Sequence, residues 1–232
     1  PPPPPPPPPP PFFLQPQPAN RHSSTSRGLG DVYKRQKDIR SKYGDDFLKE
    51  HGVKLGFMGF FVAASVNALE KFPQVNASID GTDIVYHGYK DIGVAVSTDR
   101  GLVVPVIKDA DQKNLKEISQ ELVKLSEDAR SGKIKLEDLQ GGTFTISSLG
   151  GFGGVGFTPI ITPPEVAILG VARAQIRPIM IKGKFLPRLI LPLSLSYDHR
   201  VIDGVGGIQF TTALKGLLES PNLFLDEEVK KG

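Results

Sequence analysis

The sequence predicts a mixed α+β domain in which helices pack on a mixed β-sheet. Two observations carry this. β-prone runs and helix-spaced runs both occur from residue 37 onward, and they do not alternate as strict βαβ units, which argues against a doubly wound parallel sheet. Length and composition agree: 232 residues, 39% hydrophobic and 23% charged, are those of an ordinary globular chain with a sizeable core.

Taken in order, residues 1–36 stand apart. Eleven consecutive prolines, Pro1 to Pro11, cannot donate backbone hydrogen bonds and fix φ, so they stay extended. The stretch that follows, to Gln36, is rich in Ser, Arg, Gly and Asn without an apolar period, and is expected to be disordered or foreign to the domain. Globular patterning begins at Lys37. Residues 57–72 are apolar nearly all round and end before Pro73, as a buried helix does. Residues 84–86 and 92–97 read as strands. Thr98-Asp99-Arg100-Gly101 supplies a turn, and residues 102–107 return as its partner strand.

Asn114 and Glu117 have capping-box spacing and open a helix carrying Leu115, Ile118, Leu122, Leu125 and Ala129 at steps of three and four, stopped at Ser131-Gly132. Residues 143–148, 166–172 and 189–196 are β-prone, and residues 207–218 have helical spacing, closed by Pro221.

Several functions are set aside by composition. A net charge of +3, with cations scattered among acids, does not describe a nucleic-acid-binding surface. The absence of cysteine removes disulfides, a thiol nucleophile and cysteine-based zinc sites. No apolar run reaches the roughly 18 residues of a membrane span.

Of four histidines, His22 lies in the lead, and His51 and His87 sit in polar, turn-like contexts expected of solvated side chains. His199 differs. It follows an apolar run directly, with Asp198, Arg200 and Asp203 beside it and Gly204 breaking the backbone before the next helix. A carboxylate near a histidine can orient it and stabilise its cation. From these residues alone a structural ion cluster competes with catalysis.

Gly151-Phe152-Gly153-Gly154-Val155-Gly156 matches the dinucleotide fingerprint formally, but the prolines at 159, 163 and 164 prevent the helix that must follow. No G-x-S-x-G elbow occurs, and Ser147 and Ser148 close a strand instead, which disfavours a Ser-His-Asp hydrolase. Asn76-Ala77-Ser78 fits a glycosylation sequon, a triplet common by chance.

The run PRLILPLSLSYDHRVIDG, with D-H-R-x-x-D-G at its end, resembles the catalytic domain of the dihydrolipoamide acyltransferases of 2-oxo acid dehydrogenase complexes. So do IGVAVSTDRGLVVPVIKDAD and LQGGTFTISSLGGFGGVGFTPIITPPEVAILGVA, in the same order, over about residues 57–218. The resemblance implies a chloramphenicol-acetyltransferase-like two-layer sandwich that forms trimers with active sites between subunits, assembling into a larger core. It implies acyl transfer between the dihydrolipoyl thiol and coenzyme A, with His199 as base, Ser147 donating to the oxyanion and Asp203 supporting the loop.

Coenzyme A is then a substrate, and the lipoyl group rides on a domain absent from this chain. Further expected partners are the dehydrogenase (E1) and lipoamide dehydrogenase (E3) subunits, through absent domains, with no metal, nucleic acid or membrane. Expected location is the bacterial cytoplasm or the mitochondrial matrix. The wording of residues 187–204 points to the acetyl-transferring members. Succinyl or branched-chain acyl transfer, an inactive scaffold of the same fold, and a stand-alone detoxifying acetyltransferase are the alternatives. Such relatives open with a basic segment and a strand not recognisable in residues 1–36, so residues 37–232 are expected to be a catalytic domain truncated on its N-terminal side.

Overall fold

A computed structural model describes residues 21–25, 32–151 and 153–225. In chain order the elements are β1 (Arg21–Thr25), α1 (Val32–His51), α2 (Phe57–Lys71), β2 (Ala77–Asp80), β3 (Asp83–Tyr86), β4 (Ile92–Val94), β5 (Val96–Thr98), β6 (Gly101–Val103), β7 (Val106–Ile107), α3 (Leu115–Arg130), β8 (Phe144–Ser148), β9 (Ala167–Val171), β10 (Gln175–Ile181), β11 (Lys184–Ile190), β12 (Leu193–Asp198) and α4 (Gly204–Leu218).

Six strands form the main sheet in the order β1-β12-β9-β8-β4-β7. β9, β8 and β4 run parallel to one another, and the other pairings are antiparallel, so the sheet is mixed as expected. Side chains alternate across a strand, and here the alternation sorts two chemistries. One face carries Ile92, Val94, Phe144, Ile146, Leu169, Leu195 and Tyr197 into the core, against α2, α3 and α4. Phe210 of α4 packs between Phe144 and Phe72, with ring centroids 5.7 and 6.0 Å away. The other face carries small and polar residues, Gly93, Thr145, Ser147, Gly170, Ser194 and Ser196. The irregular segment before β9 covers part of it. A Cβ on Gly170 would lie 3.0 Å from Phe157 and 3.1 Å from Pro159.

Three sequence expectations need correction. The lead is not without regular structure throughout: β1 pairs with β12, and α1 begins at Val32. RHSST shows no apolar alternation because its place is set by backbone pairing. Residues 92–97 and 102–107 each divide in two. β4 pairs with β7 and β8 in the main sheet, while β5 and β6 form a separate hairpin that bends away at Ala95 and Pro105. Finally, β2 and the β10–β11 hairpin were not foreseen, and residues 189–196 contribute to both β11 and β12, broken at Pro192. The capping box at Asn114 and Glu117 is present with both hydrogen bonds at 2.9 Å, and α3 ends at Arg130.

Candidate active site

His199 sits in a tight turn between two fixed elements. On one side β12 ends at Asp198, whose backbone N–H donates to Val166 at 2.8 Å. On the other, Asp203 caps α4, its Oδ1 accepting from the Gly206 N–H at 2.7 Å. Between them, the backbone N–H groups of Val201 and Ile202 both donate to the Asp198 carbonyl, and the Ile202 side chain is fully buried. The turn is thus anchored at both ends and in the middle, while the His199 side chain faces solvent. Its ring lies 6.0 Å from that of buried Tyr197.

Asp198 and Arg200 clamp the same turn. The Asp198 carboxylate accepts from the Arg200 backbone N–H at 3.0 Å and from its guanidinium at 2.6 to 3.1 Å. Hydrogen bonding from Arg200 holds the Asp198 carboxyl below its usual range, against the opposing effect of burial. An anion is therefore fixed beside His199 in sequence. Burial pushes the Tyr197 hydroxyl up, and the charge of Asp203 adds to this.

Ser147 lies on the polar face of the sheet and is 8% exposed. Its register partner is Gly170, whose partner in turn is Ser194. His199 comes five residues after Ser194, past the end of β12, which at about 3.3 Å per residue puts it about 17 Å away along the strand direction. Within one chain, His199 and Asp203 stand together at one end of the sheet and Ser147 at the other. A cleft of about 1030 Å³ opens near the Ser147 end, lined by Ser148, Gly150, Gly151, Lys54, Arg130 and Arg173 among others, but by none of the three expected site residues. Ser148 points into it from the face opposite to Ser147.

Other expectations fare variously. Among the described residues of the glycine-rich segment 151–156 no helix opens, and Gly153 and Gly154 have φ of 93° and 91°. His22 lies in β1, in register with Tyr197. His51 is mostly buried rather than solvated, edge-on to Phe47 at 4.6 Å, and among the described residues its Nδ1 has no partner. Burial lowers the His87 pKa, partly offset by the charge of Asp91. One residue escaped the sequence reading altogether: Glu165 is buried, accepts from the Thr145 hydroxyl at 2.8 Å, and is pushed up to about 7 by desolvation. Its position between an irregular segment and a strand carries no periodic signal.

Residues 33–225 match the family described as 2-oxoacid dehydrogenases acyltransferase (catalytic domain). The chain belongs to that family.

Over 191 residues it is 54% identical to the dihydrolipoyllysine-residue succinyltransferase component of the 2-oxoglutarate dehydrogenase complex of Pseudomonas aeruginosa, covering 82% of this chain and 47% of that protein. The chain spans about half the length of the curated relatives it matches. Among solved structures it is similar to the cubic core of the pyruvate dehydrogenase multienzyme complex (TM-score 0.80, 39% identity, 90% of this chain and 85% of that one). It is equally similar, with the same values, to Azotobacter vinelandii dihydrolipoamide acetyltransferase, studied for the role of a serine, a histidine and an asparagine in its catalytic mechanism. Chloramphenicol acetyltransferase, at 17% identity and a TM-score of 0.54, shares the fold, as the resemblance implied. The expected acetyl specificity does not match the curated relatives, which carry succinyl transfer in their names.

Proposed function

We propose that this domain transfers an acyl group, succinyl rather than acetyl, between a dihydrolipoyl thiol and the thiol of coenzyme A, with His199 as general base. The observation that carries it is the presentation of His199: an imidazole exposed to solvent on a turn anchored by strand, buried side chain and helix cap. The succinyl assignment is supported by relatives at 50–54% identity, and the acetyl alternative by structures at 39%.

In the forward step the imidazole takes the coenzyme A thiol proton. The thiolate attacks the thioester carbonyl carbon, forming a C–S bond and moving the π electrons onto oxygen. The Ser147 hydroxyl donates to that oxyanion. Collapse restores the carbonyl, breaks the C–S bond to the dihydrolipoyl sulfur, and returns the proton from the imidazolium to that sulfur. A thiol with pKa near 8.5 is mostly protonated at neutral pH, so a positioned base contributes about 10²–10⁴-fold and one oxyanion donor about 10²–10³-fold. Because Ser147 and His199 stand at opposite ends of one sheet, the reading requires two copies per site, His199 from one and Ser147 from the next. An assembly of several copies is supported by the cubic core that the name of one similar structure states.

Steady-state transfer from succinyl-CoA and from acetyl-CoA to dihydrolipoamide tests the proposal. The succinyl donor is expected to show the higher kcat/KM, and His199→Ala to lower kcat about 10²–10⁴-fold with unchanged circular dichroism. Equal rates for wild type and His199→Ala would refute the base assignment; preference for acetyl-CoA would refute the acyl assignment alone.

A further inference from the structure

One buried acid near the turn of His199 has no part in the proposed chemistry. Glu165 lies two residues before β9 and is 8% exposed. Its backbone is held on two sides: its N–H donates to the Thr162 carbonyl at 3.0 Å, and it bridges to Ser78 of β2. Its carboxyl reaches the polar face of the sheet, where Oε1 accepts from the Thr145 hydroxyl at 2.8 Å. Oε2 is buried as well, and among the described residues nothing hydrogen-bonds to it.

The space around that carboxyl is closed and holds no compensating charge. A Cβ on Gly142 would lie 2.8 Å from Oε1, and Val106 stands 3.5 Å from the same point. On the far side of Gly141, Lys108 is committed to Asp91 at 3.1 Å and to the Gln140 carbonyl. Beyond Val166, Asp198 is committed to Arg200 at 2.6 Å. Ser78 and Thr145 carry no charge, and neither does any residue from 153 to 164 in the segment leading into Glu165. Burial therefore pushes the carboxyl up to about 7, with the Thr145 hydroxyl drawing it back. Ionisation puts a charge with a single hydrogen bond into this site, a cost that is relieved by moving the group or admitting water.

Movement there reaches His199 by a short route. The next residue is Val166, whose carbonyl accepts the Asp198 N–H at 2.8 Å and so ties down the end of β12. The Asp198 carbonyl in turn accepts from Val201 and Ile202, across the turn that carries His199. We infer that Glu165 is a positioning residue for His199: neutral, it keeps the Val166 carbonyl against the end of β12, and ionised, it loosens that anchor and the turn with it. The transfer rate then gains a descending limb as pH rises through neutrality, where a general base alone gives a rise to a plateau. In this respect the inference rests on the reading of His199 as the base.

Hydrogen exchange on the whole chain at pH 6 and pH 8, corrected for the intrinsic rate of each amide, tests the anchor without reference to turnover. The amides of Asp198, Val201 and Ile202 are expected to lose on the order of tenfold or more of their protection at pH 8 in the wild type. Glu165→Gln stays neutral and can still accept from Thr145, so its protection is expected to be equal at both pH values. The dependence of kcat on pH tests the consequence. The descending limb is expected in the wild type, absent in Glu165→Gln, and moved to higher pH in Thr145→Val, which removes a donor that favours the ionised form. Circular dichroism and Tm identify a variant that has failed to fold, and the wild-type exchange comparison needs no variant. Equal protection of the turn at both pH values in the wild type, the same limb in folded Glu165→Gln, or an unmoved limb in folded Thr145→Val would overturn the inference. A wild-type rate in His199→Ala would overturn the base assignment instead and leave the exchange result standing.

Discussion

Asp203 joins two tasks that can be separated at the scale of one residue. Its Oδ1 accepts from the Gly206 N–H and so begins α4, and its charge lies near Tyr197, beside the turn of His199. Asn is as good a cap as Asp, whereas Ala forfeits the cap at about 1 kcal/mol. Asp203→Asn is therefore expected to keep the wild-type Tm while Asp203→Ala lowers it. A drop in kcat common to both variants would assign the carboxylate a role in the chemistry beyond capping.

Glu165 makes a second prediction. Burial raises its pKa from the ordinary 4.5 to about 7, so the folded state holds the proton more tightly than the unfolded chain does. The neutral form is undisturbed below about pH 4.5. As pH rises from there through 7 the unfolded chain ionises first, and stability falls by on the order of 3 kcal/mol before levelling. Denaturant unfolding of Glu165→Gln between pH 5 and 8 is expected to show a flatter profile and a more stable protein at pH 8. The same slope in both proteins would show that Glu165 is not the titrating group.

At the scale of elements, the site depends on how closely α4 sits on β12. A Cβ on Gly207 would lie 2.8 Å from Tyr197 Cε1 and 3.0 Å from Cζ, too close for any side chain. Gly207→Ala must push α4 off the sheet and carry the turn of His199 with it. Overpacking of this kind costs about 1–3 kcal/mol, and kcat is expected to fall as well, because His199, the proposed base, moves from its anchored place. Thermal melting and the transfer assay on this one variant measure both effects.

What could be read from the sequence divides by physical cause. α2, α3 and α4 were legible because their apolar positions recur with the helical period and their ends carry Pro73, Asn114 or Pro221. α1 was not, because its buried residues Ile39 and Phe47 form a narrow stripe in an otherwise charged segment. β8 and β9 were legible as runs rich in β-branched and apolar residues. β1 and the bend between β4 and β5 were not, since partners distant in sequence place them. For the site, His199 and its neighbours were visible as a cluster and Ser147 only through the family resemblance. No local pattern could show that the two lie at opposite ends of the sheet, because register links residues 147, 170 and 194 across three strands.

At the scale of the whole molecule, the separation of His199 and Ser147 makes catalysis, on the proposed assignment, depend on contact between copies. On the proposed assignment, each copy presents His199 as base at one end of its sheet and Ser147 as oxyanion donor at the other, so complete sites lie only where two copies meet. Such a site is lost on dissociation even when every chain remains folded. Co-expression of His199→Ala chains with Ser147→Ala chains tests this most directly. Each variant alone has no complete junction, whereas mixed assemblies contain junctions with an intact Ser147 from one chain and an intact His199 from the other. Transfer activity in mixed assemblies above that of either variant alone is the predicted result. Mixed assemblies of normal mass with no gain in activity would contradict a site shared between copies.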